Sequence, residues 1–416
     1  MKKVTLIKST LALAVTLASS NLLASGFALN EQSVSGMGTG FAGRSSAADD
    51  ASTVYGNPAG MSRLKREQVT VGGAAVIAKT DIKQTGGAAG SNDGDMVPTV
   101  GVPMGYYVKP IDEHWSFGFG MYVPFGLVTD YENGFAGRYY GSKSEVQVIT
   151  LQPTVSYAFN DKVSIGFGPT INRIDGTLES ATRPPAPGLN DGKVKISGDD
   201  TAVGYNIGIL VQATDSTRVG LTYHSMVDYK LEGKTKVTNQ YIGALNGSKY
   251  DASLKIKTPE SVDLSITHEL DDHWTLYAGS TWTRWSRLEA ITVENEGVPP
   301  LLQAAGLGRI SEEQKWHDTW AHAIGASYKL NKEWTLRTGF TVDQSPTNNV
   351  NRSPRIPTGD RKIISFGAGW SPNDDMTIDL AYSYLWEEDA KINQAAYKAK
   401  YENSAHGLGA SLTYRF

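Results

Sequence analysis

The chain has 416 residues, a formal net charge of −4 and no cysteine. Charge so near balance gives no sign of a nucleic-acid partner, and the missing cysteines exclude disulfides without fixing the compartment. Its 44 glycines, 20 tyrosines and 9 tryptophans, with apolar runs that alternate, favour one large barrel over two or three soluble domains.

Residues 1–25 form a secretory signal pattern: a basic start, a short apolar core from Leu11 to Leu17, and small residues at Ala24 and Ser25. The apolar core is too short to cross roughly 30 Å of hydrocarbon. No later segment has about 18 continuous apolar residues, so we expect no transmembrane helix. The mature protein is therefore predicted to be periplasmic, secreted or an outer-membrane barrel.

Residues 26–66 contain many small residues and few large apolar ones. Alone, this stretch could not bury enough apolar surface to offset the entropy lost on ordering. Because a long series of amphipathic strands follows it, we predict that it is a plug held inside a barrel.

Three short motifs in this stretch carry a family resemblance. They are Gly-Phe-Ala-Leu-Asn-Glu at 26–31, Ala-Asp-Asp at 48–50 and Asn-Pro-Ala at 57–59. In this order, directly after a signal peptide, they resemble the amino-terminal hatch of the FadL family, outer-membrane channels for long-chain fatty acids and other hydrophobic compounds. The resemblance implies a hatch at 26–66, and we count Phe27 among the candidate ligand-binding residues.

Five residues of the hatch are candidates for gating: Asp49, Asp50, Asn57, Pro58 and Ala59. Pro58 fixes its own φ and biases the preceding residue towards extended geometry, which predicts a rigid turn. By resemblance, the integrity of that turn matters for ligand transfer; a purely structural turn is the alternative. The two aspartates are expected to pair with lumen-facing arginines such as Arg337, because an unpaired buried carboxylate is costly.

From residue 67 onward, apolar and polar residues alternate with a period of two, which predicts strands. Fourteen such segments occur, an even number as closed bacterial barrels require. They lie at 68–81, 98–108, 114–123, 145–158, 162–177, 201–213, 217–229, 253–269, 273–286, 318–329, 333–343, 361–370, 376–386 and 406–416. We therefore predict an all-β fold, a fourteen-stranded transmembrane antiparallel β-barrel at 67–416.

The connections between these segments alternate between short turns and long loops, as in outer-membrane barrels. The long ones are 82–97, 124–144, 178–200, 230–252, 287–317, 344–360 and 387–405. The last segment ends in Phe416, which resembles the signal read by the outer-membrane assembly machinery. Within the fifth long loop, 298–316 has the pattern of a short amphipathic helix.

The second long loop is the predicted ligand site, and its Pro-Phe-Gly-Leu and Gly-Arg-Tyr elements also resemble the family. An amphipathic acid needs an apolar groove and one cation for its carboxylate. The candidates are Phe125, Leu127, Phe135, Arg138 and Tyr139. Alternatively, Arg138 holds loop carbonyls or pairs with Asp130.

The sixth loop has a basic cluster of Arg352, Arg355, Arg361 and Lys362. On an outer face, such cations are expected to bind lipopolysaccharide phosphates or neighbouring acids. The family resemblance also implies a sideways exit at a kinked strand, for which 100–107, with Pro103 inside it, is a candidate.

We therefore expect a monomeric outer-membrane channel for passive uptake of long-chain fatty acids in a Gram-negative bacterium, with no cofactor. An aromatic-hydrocarbon channel is the nearest alternative; a general porin, an adhesive surface protein and an outer-membrane lipase are others. Catalysis finds little support, since the seven histidines are scattered and no G-x-S-x-G motif occurs.

Overall fold

The computed structural model describes residues 26–184, 186, 188–239, 241, 246–304 and 306–416, so the predicted signal peptide at 1–25 lies outside the described residues. Its strands form one antiparallel sheet that closes where β1 pairs with β19. The strands are β1 Gln68–Gly87, β2 Val100–Pro110, β3 Trp115–Asp130, β4 Lys143–Ala158, β5 Val163–Thr182, β6 Gly192–Thr214, β7 Thr217–His224, β8 Val227–Thr238, β9 Lys249–Thr258, β10 Ser261–Glu269, β11 Trp274–Thr283, β12 Ala290–Glu296, β13 Arg309–Glu313, β14 Thr319–Lys329, β15 Trp334–Asp343, β16 Arg361–Asn373, β17 Met376–Glu387, β18 Ala390–Gln394 and β19 Tyr397–Arg415.

The nineteen stretches form fourteen wall strands, because five wall strands are each interrupted once and so consist of two stretches. The interrupted ones are β7 with β8, β9 with β10, β11 with β12, β13 with β14, and β17 with β18. For example, β6 pairs along one part of its length with β7 and along the other with β8. The predicted closed antiparallel barrel of 14 strands is confirmed.

The outer face of the wall is apolar at mid-height and aromatic at its margins. Trp115, Trp274 and Trp334 begin strands next to short turns, while Trp320 and Trp386 lie near the opposite ends of their strands, and all five are exposed. Such girdles mark the two interfaces of a membrane-spanning barrel. The alternation in the sequence thus corresponds to lipid-facing and lumen-facing side chains.

Several predicted strand ends are wrong on the long-loop side. β6 begins at Gly192 rather than residue 201, β8 runs to Thr238 through the predicted loop 230–252, and β19 begins at Tyr397 rather than residue 406. Likewise β3 continues to Asp130, so Phe125 and Leu127 lie in a strand. These extensions carry charged residues on their outward face, so the apolar alternation used for the prediction ends before the strands do.

The helices are all short. They are α1 Val34–Gly38, α2 Thr53–Gly56, the 3-10 helices η1 Pro58–Arg63 and η2 Trp285–Arg287, and α3 Pro300–Ala304. The helix predicted within 298–316 is therefore a single turn, followed by β13. In the part of the chain that the structure describes, no helix is long and apolar enough to cross a membrane.

The amino-terminal segment, residues 26–66, contacts strands on different sides of the barrel. Ser45 N donates to Ser265 Oγ on β10, at 2.8 Å. Asn57 Nδ2 donates to Ile209 O on β6, at 3.0 Å, and Gln32 Nε2 donates to Val123 O on β3, at 2.6 Å. These bonds attach the segment to the inward face of the wall.

We expect Gly208→Ala to loosen the amino-terminal segment. A Cβ at Gly208 on β6 would overlap Asn57 Oδ1, whereas a Cβ at Gly105 on β2 has no closer neighbour than Val71 Cγ1, at 4.0 Å. Overpacking of this kind costs about 1–3 kcal/mol. Limited proteolysis of the detergent-solubilised variants should cleave 26–63 faster in Gly208→Ala and at the wild-type rate in Gly105→Ala. Equal rates in both variants would contradict the expectation.

Candidate functional site

The wall has a gap between β2 and β3. The pairing of these strands ends at Gly105 and Met121, although β3 continues to Asp130. On its other side β3 pairs with β4, with a register shift between Tyr122 and Phe125. Pro124 lies inside this shift and has no N–H to donate, as is usual where a strand departs from its ladder.

The kink differs in position from the sequence candidate. Pairing between β1 and β2 runs through Pro103 without a shift, so β2 is not the kinked strand. Pro103 lies beyond the end of the β2–β3 pairing, where β2 has no partner strand on that side. A proline at such an unpaired edge removes no ladder hydrogen bond and so does not bend the strand. β2 instead forms the opposite margin of the gap.

Backbone atoms of the amino-terminal segment pair with β3 at this gap. Leu29 N donates to Pro124 O and Gly126 N donates to Phe27 O, each at 2.9 Å. Gln32 Nε2 donates to Val123 O, as described above. Within hydrocarbon an unpaired backbone group costs several kcal/mol, so these bonds compensate for the missing ladder.

A cavity of about 100 Å³, measured as the space open to the centres of water molecules, lies beside the gap. Leu29 and Phe41 of the amino-terminal segment line it, together with Tyr122 and Phe125 of the kinked strand. The remaining lining comes from small, polar and apolar side chains of the wall, among them Thr150, Asn206, His224, Asp263 and Ile363. The cavity therefore offers apolar surface with a polar margin.

Arg44 is the cation that lines this cavity. Its Nη2 donates to Asn30 Oδ1 at 2.8 Å, and its guanidinium lies 5.2 Å from the centre of the Phe41 ring. No acid within 4.0 Å pairs with Arg44 among the described residues, so its only strong partner is a neutral amide.

The acids around the cavity have partners of their own. Asp263 accepts from Ser45 Oγ at 2.5 Å and from Thr281 Oγ1 at 2.6 Å. Asp343 lies 3.9 Å from the Arg361 guanidinium. An anion entering the cavity would therefore find Arg44 available. Sequence analysis missed this residue, although it is the only cation between positions 26 and 62.

Two of the predicted ligand-binding residues meet beside the cavity. Phe27 is 3% exposed and packs on Phe125, with ring centres 5.6 Å apart, and on Trp285, at 5.0 Å. Leu127 and Phe135 belong to the same apolar cluster, but Phe135 is fully buried against Tyr131, at 3.9 Å. Of these residues, Phe125 lines the cavity.

Arg138 and Tyr139 do not line the cavity, and both donate to the same carboxylate, that of Asp191. Arg138 Nε donates to Asp191 Oδ2, and Tyr139 OH donates to Asp191 Oδ1 at 2.7 Å. Asp130, the alternative partner, pairs instead with Lys143 at 3.1 Å. Arg138 also donates to loop carbonyls, so a ligand carboxylate would have to displace Asp191. Its role in ligand binding stays a prediction.

The Asn-Pro-Ala motif forms the start of η1. Asn57 Oδ1 accepts from Ala59 N at 3.0 Å, and Pro58 occupies the first helical position, where its missing N–H is harmless. Asn57 Nδ2 donates both to Ser45 O, at 2.7 Å, and to Ile209 O on the wall. One side chain thus joins the turn, the rest of the segment and β6.

Neither Asp49 nor Asp50 forms the expected ion pair with Arg337 within 4.0 Å among the described residues, although the charge of Arg337 acts on Asp49 at longer range. Arg337 pairs with Asp379 at 2.7 Å, both being buried residues of neighbouring parts of the wall. Asp50 instead accepts from Ser35 Oγ at 2.6 Å and from Ser52 N at 2.8 Å, which satisfies its oxygens without a cation. Asp49 lines a second, smaller cavity within the segment.

The basic cluster of the sixth loop is also not an exposed surface. Arg352, Arg355 and Arg361 are buried, while Lys362 is exposed. Arg355 Nε pairs with Glu312 at 3.0 Å, and Arg361 Nη2 lies 3.3 Å from Glu387. These two ion pairs join the sixth loop to β13 and β17, so the arginine charges are not available on the outer rim.

Comparison with known proteins supports the same class. The family model described as Outer membrane protein transport protein (OMPP1/FadL/TodX) matches residues 15–416. The chain is 29% identical to the long-chain fatty acid transport protein of Escherichia coli O6:H1, with 98% of each chain covered. It is 29% identical to outer membrane protein P1 of Haemophilus influenzae, covering 98% of this chain and 99% of that protein.

Solved structures of other proteins show the same fold. The crystal structure of a Pseudomonas aeruginosa FadL homologue matches with a TM-score of 0.83 and 26% identity, covering 94% of this chain and 99% of that one. The Ralstonia pickettii toluene transporter TbuX matches with a TM-score of 0.70 and 19% identity, covering 92% and 97%. At that identity, the second match shows the fold alone.

We expect the docking of the amino-terminal segment to weaken as pH rises, through Glu31. This side chain is 7% exposed, its Oε2 has no hydrogen-bond partner among the described residues, and burial raises the pKa of Glu31 above its ordinary value of 4.5. A carboxyl group with a raised pKa in the folded state binds more protons there than in the unfolded state. Stability therefore falls as pH rises from 4.5 through the raised pKa.

Glu31→Gln should remove this dependence, because it keeps the shape and loses the titration. The measurement is denaturant unfolding in detergent at pH values on both sides of that window. Wild type should lose stability relative to Glu31→Gln as pH rises, whereas Glu113→Gln on an exposed turn should follow wild type. A wild-type curve parallel to that of Glu31→Gln would refute the assignment.

Proposed function

This chain belongs to the OMPP1/FadL/TodX family of outer-membrane transport proteins, and we propose on that premise that it takes up long-chain fatty acids passively across the outer membrane. It is an outer-membrane β-barrel of a Gram-negative bacterium. The relatives named above are a transport protein and an outer-membrane protein, and the family's ligands are fatty acids and other hydrophobic compounds. An aqueous pore would not serve such molecules, because they avoid water.

One observation carries the proposal: the cavity touches both the amino-terminal segment and the kinked part of β3, beside the gap in the wall. A hydrophobic ligand captured by the outer loops would enter this cavity. From there it would leave sideways through the gap into the membrane rather than through the barrel into water. The predicted ligand residues Phe27 and Phe125 lie on this route.

The amino-terminal segment is proposed to act as a hatch. Its backbone bonds to Pro124 O and Gly126 N occupy the gap, so passage requires residues 27–29 to withdraw. In the Asn57-Pro58-Ala59 turn, Asn57 bonds to β6 and Ala59 O accepts from Ser164 Oγ on β5, and these bonds would confine the movement to the beginning of the segment. We assign Asp49 and Asp50 the role of holding the segment's own turns.

We propose Arg44 as the residue that binds the fatty-acid carboxylate. It lines the cavity, lacks an acidic partner among the described residues, and is flanked by the apolar ring of Phe41. A guanidinium binds a carboxylate in bidentate fashion. Arg138 is the alternative cation, but it already pairs with Asp191. Because Arg44 belongs to the hatch, binding of the head group would act on the gating element directly.

Aromatic-hydrocarbon uptake is consistent with the family and differs in the head group: toluene needs no cation. A general porin would require an open lumen, which the amino-terminal segment reduces. We further propose that the channel is a monomer and that Phe416, which is exposed and whose N–H bonds to Glu67 O, is read by the outer-membrane assembly machinery. We assign no enzymatic activity.

The first test is uptake of labelled oleate by cells that lack their own channel. Wild-type protein should restore saturable uptake, and the double variant Asn57→Ala, Pro58→Ala should reduce it at equal surface levels, because Asn57 ties the hatch to β6. Lys162→Gln, on an exposed short turn away from the gap, serves as the control. Absence of uptake with wild type would overturn the fatty-acid proposal and direct the assay to toluene; equal uptake by both would discard the role of the turn.

The second test separates Arg44 from Arg138. Arg44→Met should weaken oleate binding about tenfold or more, as expected for loss of a charge-assisted pair, and leave oleyl alcohol unaffected. Arg44→Lys should restore part of the affinity, and Arg138→Met should change it little. Binding to the purified protein in detergent is the measurement. An equal loss for acid and alcohol would mean that Arg44 shapes the cavity instead, and a loss confined to Arg138→Met would return the role to that residue.

A further inference from the structure

A row of charged residues crosses the outward face of the wall on its loop side. Each member is the register partner of the next across five neighbouring strands, so all share one face. In order, the row is Lys143 on β4, Glu179 on β5, Lys195 on β6, Lys236 on β8 and Lys249 on β9. We call it the lysine row.

Charges alternate at one end of the lysine row and not at the other. Glu179 lies 3.1 Å from Lys195 and also pairs with Lys193. Beyond it, Lys195, Lys236 and Lys249 are direct neighbours, and like charges directly opposite each other destabilise a sheet. No acid within 4.0 Å pairs with Lys236 or Lys249 in the described part of the chain.

Three other lysines of β8 and β9 have acidic partners, whereas Lys255 has none within 4.0 Å among the described residues. Lys234 pairs with Asp251, Lys230 with Glu232 at 2.8 Å, and Lys257 with Asp228 at 3.3 Å. The tip that follows β8, residues 239–248, contains no Asp or Glu in its sequence. Lys236 and Lys249 therefore stand side by side with no acid within 4.0 Å among the described residues.

The height of the lysine row on the barrel indicates where such an anion would lie. On the outward face of β6, Tyr205, Ile207 and Ile209 are exposed apolar residues at the depth of hydrocarbon. Polar residues begin at Thr201, and Lys195 lies a further six residues along the strand. That is about 20 Å along the strand, or roughly 15 Å above the hydrocarbon for a strand tilted by about 40°. The phosphates and acidic sugars of the outer leaflet's glycolipid occupy this layer.

We propose that Lys193, Lys195, Lys236 and Lys249 bind the phosphate and carboxylate groups of lipopolysaccharide. The inference rests on the outer-membrane location of the chain and is independent of the ligand that it transports. It replaces the sixth-loop arginines, which are buried, as the surface in contact with lipopolysaccharide. An anion between Lys236 and Lys249 would remove the repulsion that the fold otherwise carries, so binding and stability are coupled.

Lys236→Glu tests the coupling, because it completes the alternation of charges along the lysine row. In lipopolysaccharide-free detergent, Lys236→Glu should melt at a higher temperature than wild type, since each neighbour then faces an opposite charge. Its affinity for phosphorylated lipopolysaccharide should nevertheless fall about fivefold or more, as should that of the double variant Lys236→Gln, Lys249→Gln. Added lipopolysaccharide should raise the melting temperature of wild type and not that of Lys236→Glu.

The control is Lys162→Gln, Lys332→Gln, which removes two exposed lysines from the short turns at the opposite end of the barrel. It should bind lipopolysaccharide as wild type does. Lipopolysaccharide stripped of its phosphates should bind wild type more weakly than intact lipopolysaccharide does, and inorganic phosphate should not compete at millimolar concentration. Equal affinity of wild type and Lys236→Glu would overturn the site. Competition by inorganic phosphate would assign the lysine row to a free anion and overturn the lipid.

Discussion

The pairing of backbone groups at the kink of β3 is the constraint on which the rest of this architecture depends. A barrel in lipid must satisfy every N–H and C=O, and a continuous ladder normally does so. Here the ladder between β2 and β3 stops at Gly105 and Met121, and three backbone groups of β3 beyond that point bond to residues 27–32. Docking of the amino-terminal segment thus supplies part of the pairing that the wall lacks at the gap.

The segment is held by many short polar contacts and few large apolar ones. Ser45, Ser46 and Asn57 bond to the wall, and wall glycines such as Gly166 and Gly220 let the backbone of the segment approach closely. Each such hydrogen bond contributes only about 0.5–1.5 kcal/mol. A docking of this kind can be released locally, without unfolding the barrel, because no single contact dominates it.

The fold could be predicted from the sequence because lipid and lumen impose a period of two on every wall strand. The strand ends on the loop side could not, because above the hydrocarbon the apolar side chains of β6 and β19 change to the inner face, as Val194 and Tyr401 show, while the outer face becomes charged. Of the predicted ligand residues, Phe125 lines the cavity and Phe27 packs on Phe125, whereas Arg138 pairs with Asp191; their role in ligand binding stays a prediction. Arg44 was missed because its position in the lumen depends on the path of the segment, which no local pattern encodes.

The docked segment also sets an order for biogenesis. Val34 and Met37 pack against Gly409 on β19, and Gln32 bonds to Val123 on β3, so the docking site includes both an early and the last strand. Contacts so distant along the chain form late, because the intervening loop must close first. Residues made first by the ribosome therefore reach their final place last, after β1 has met β19. Until then the half-built wall has unpaired backbone groups at the seam beside β3 as well as along its open edge, and both must be kept from lipid.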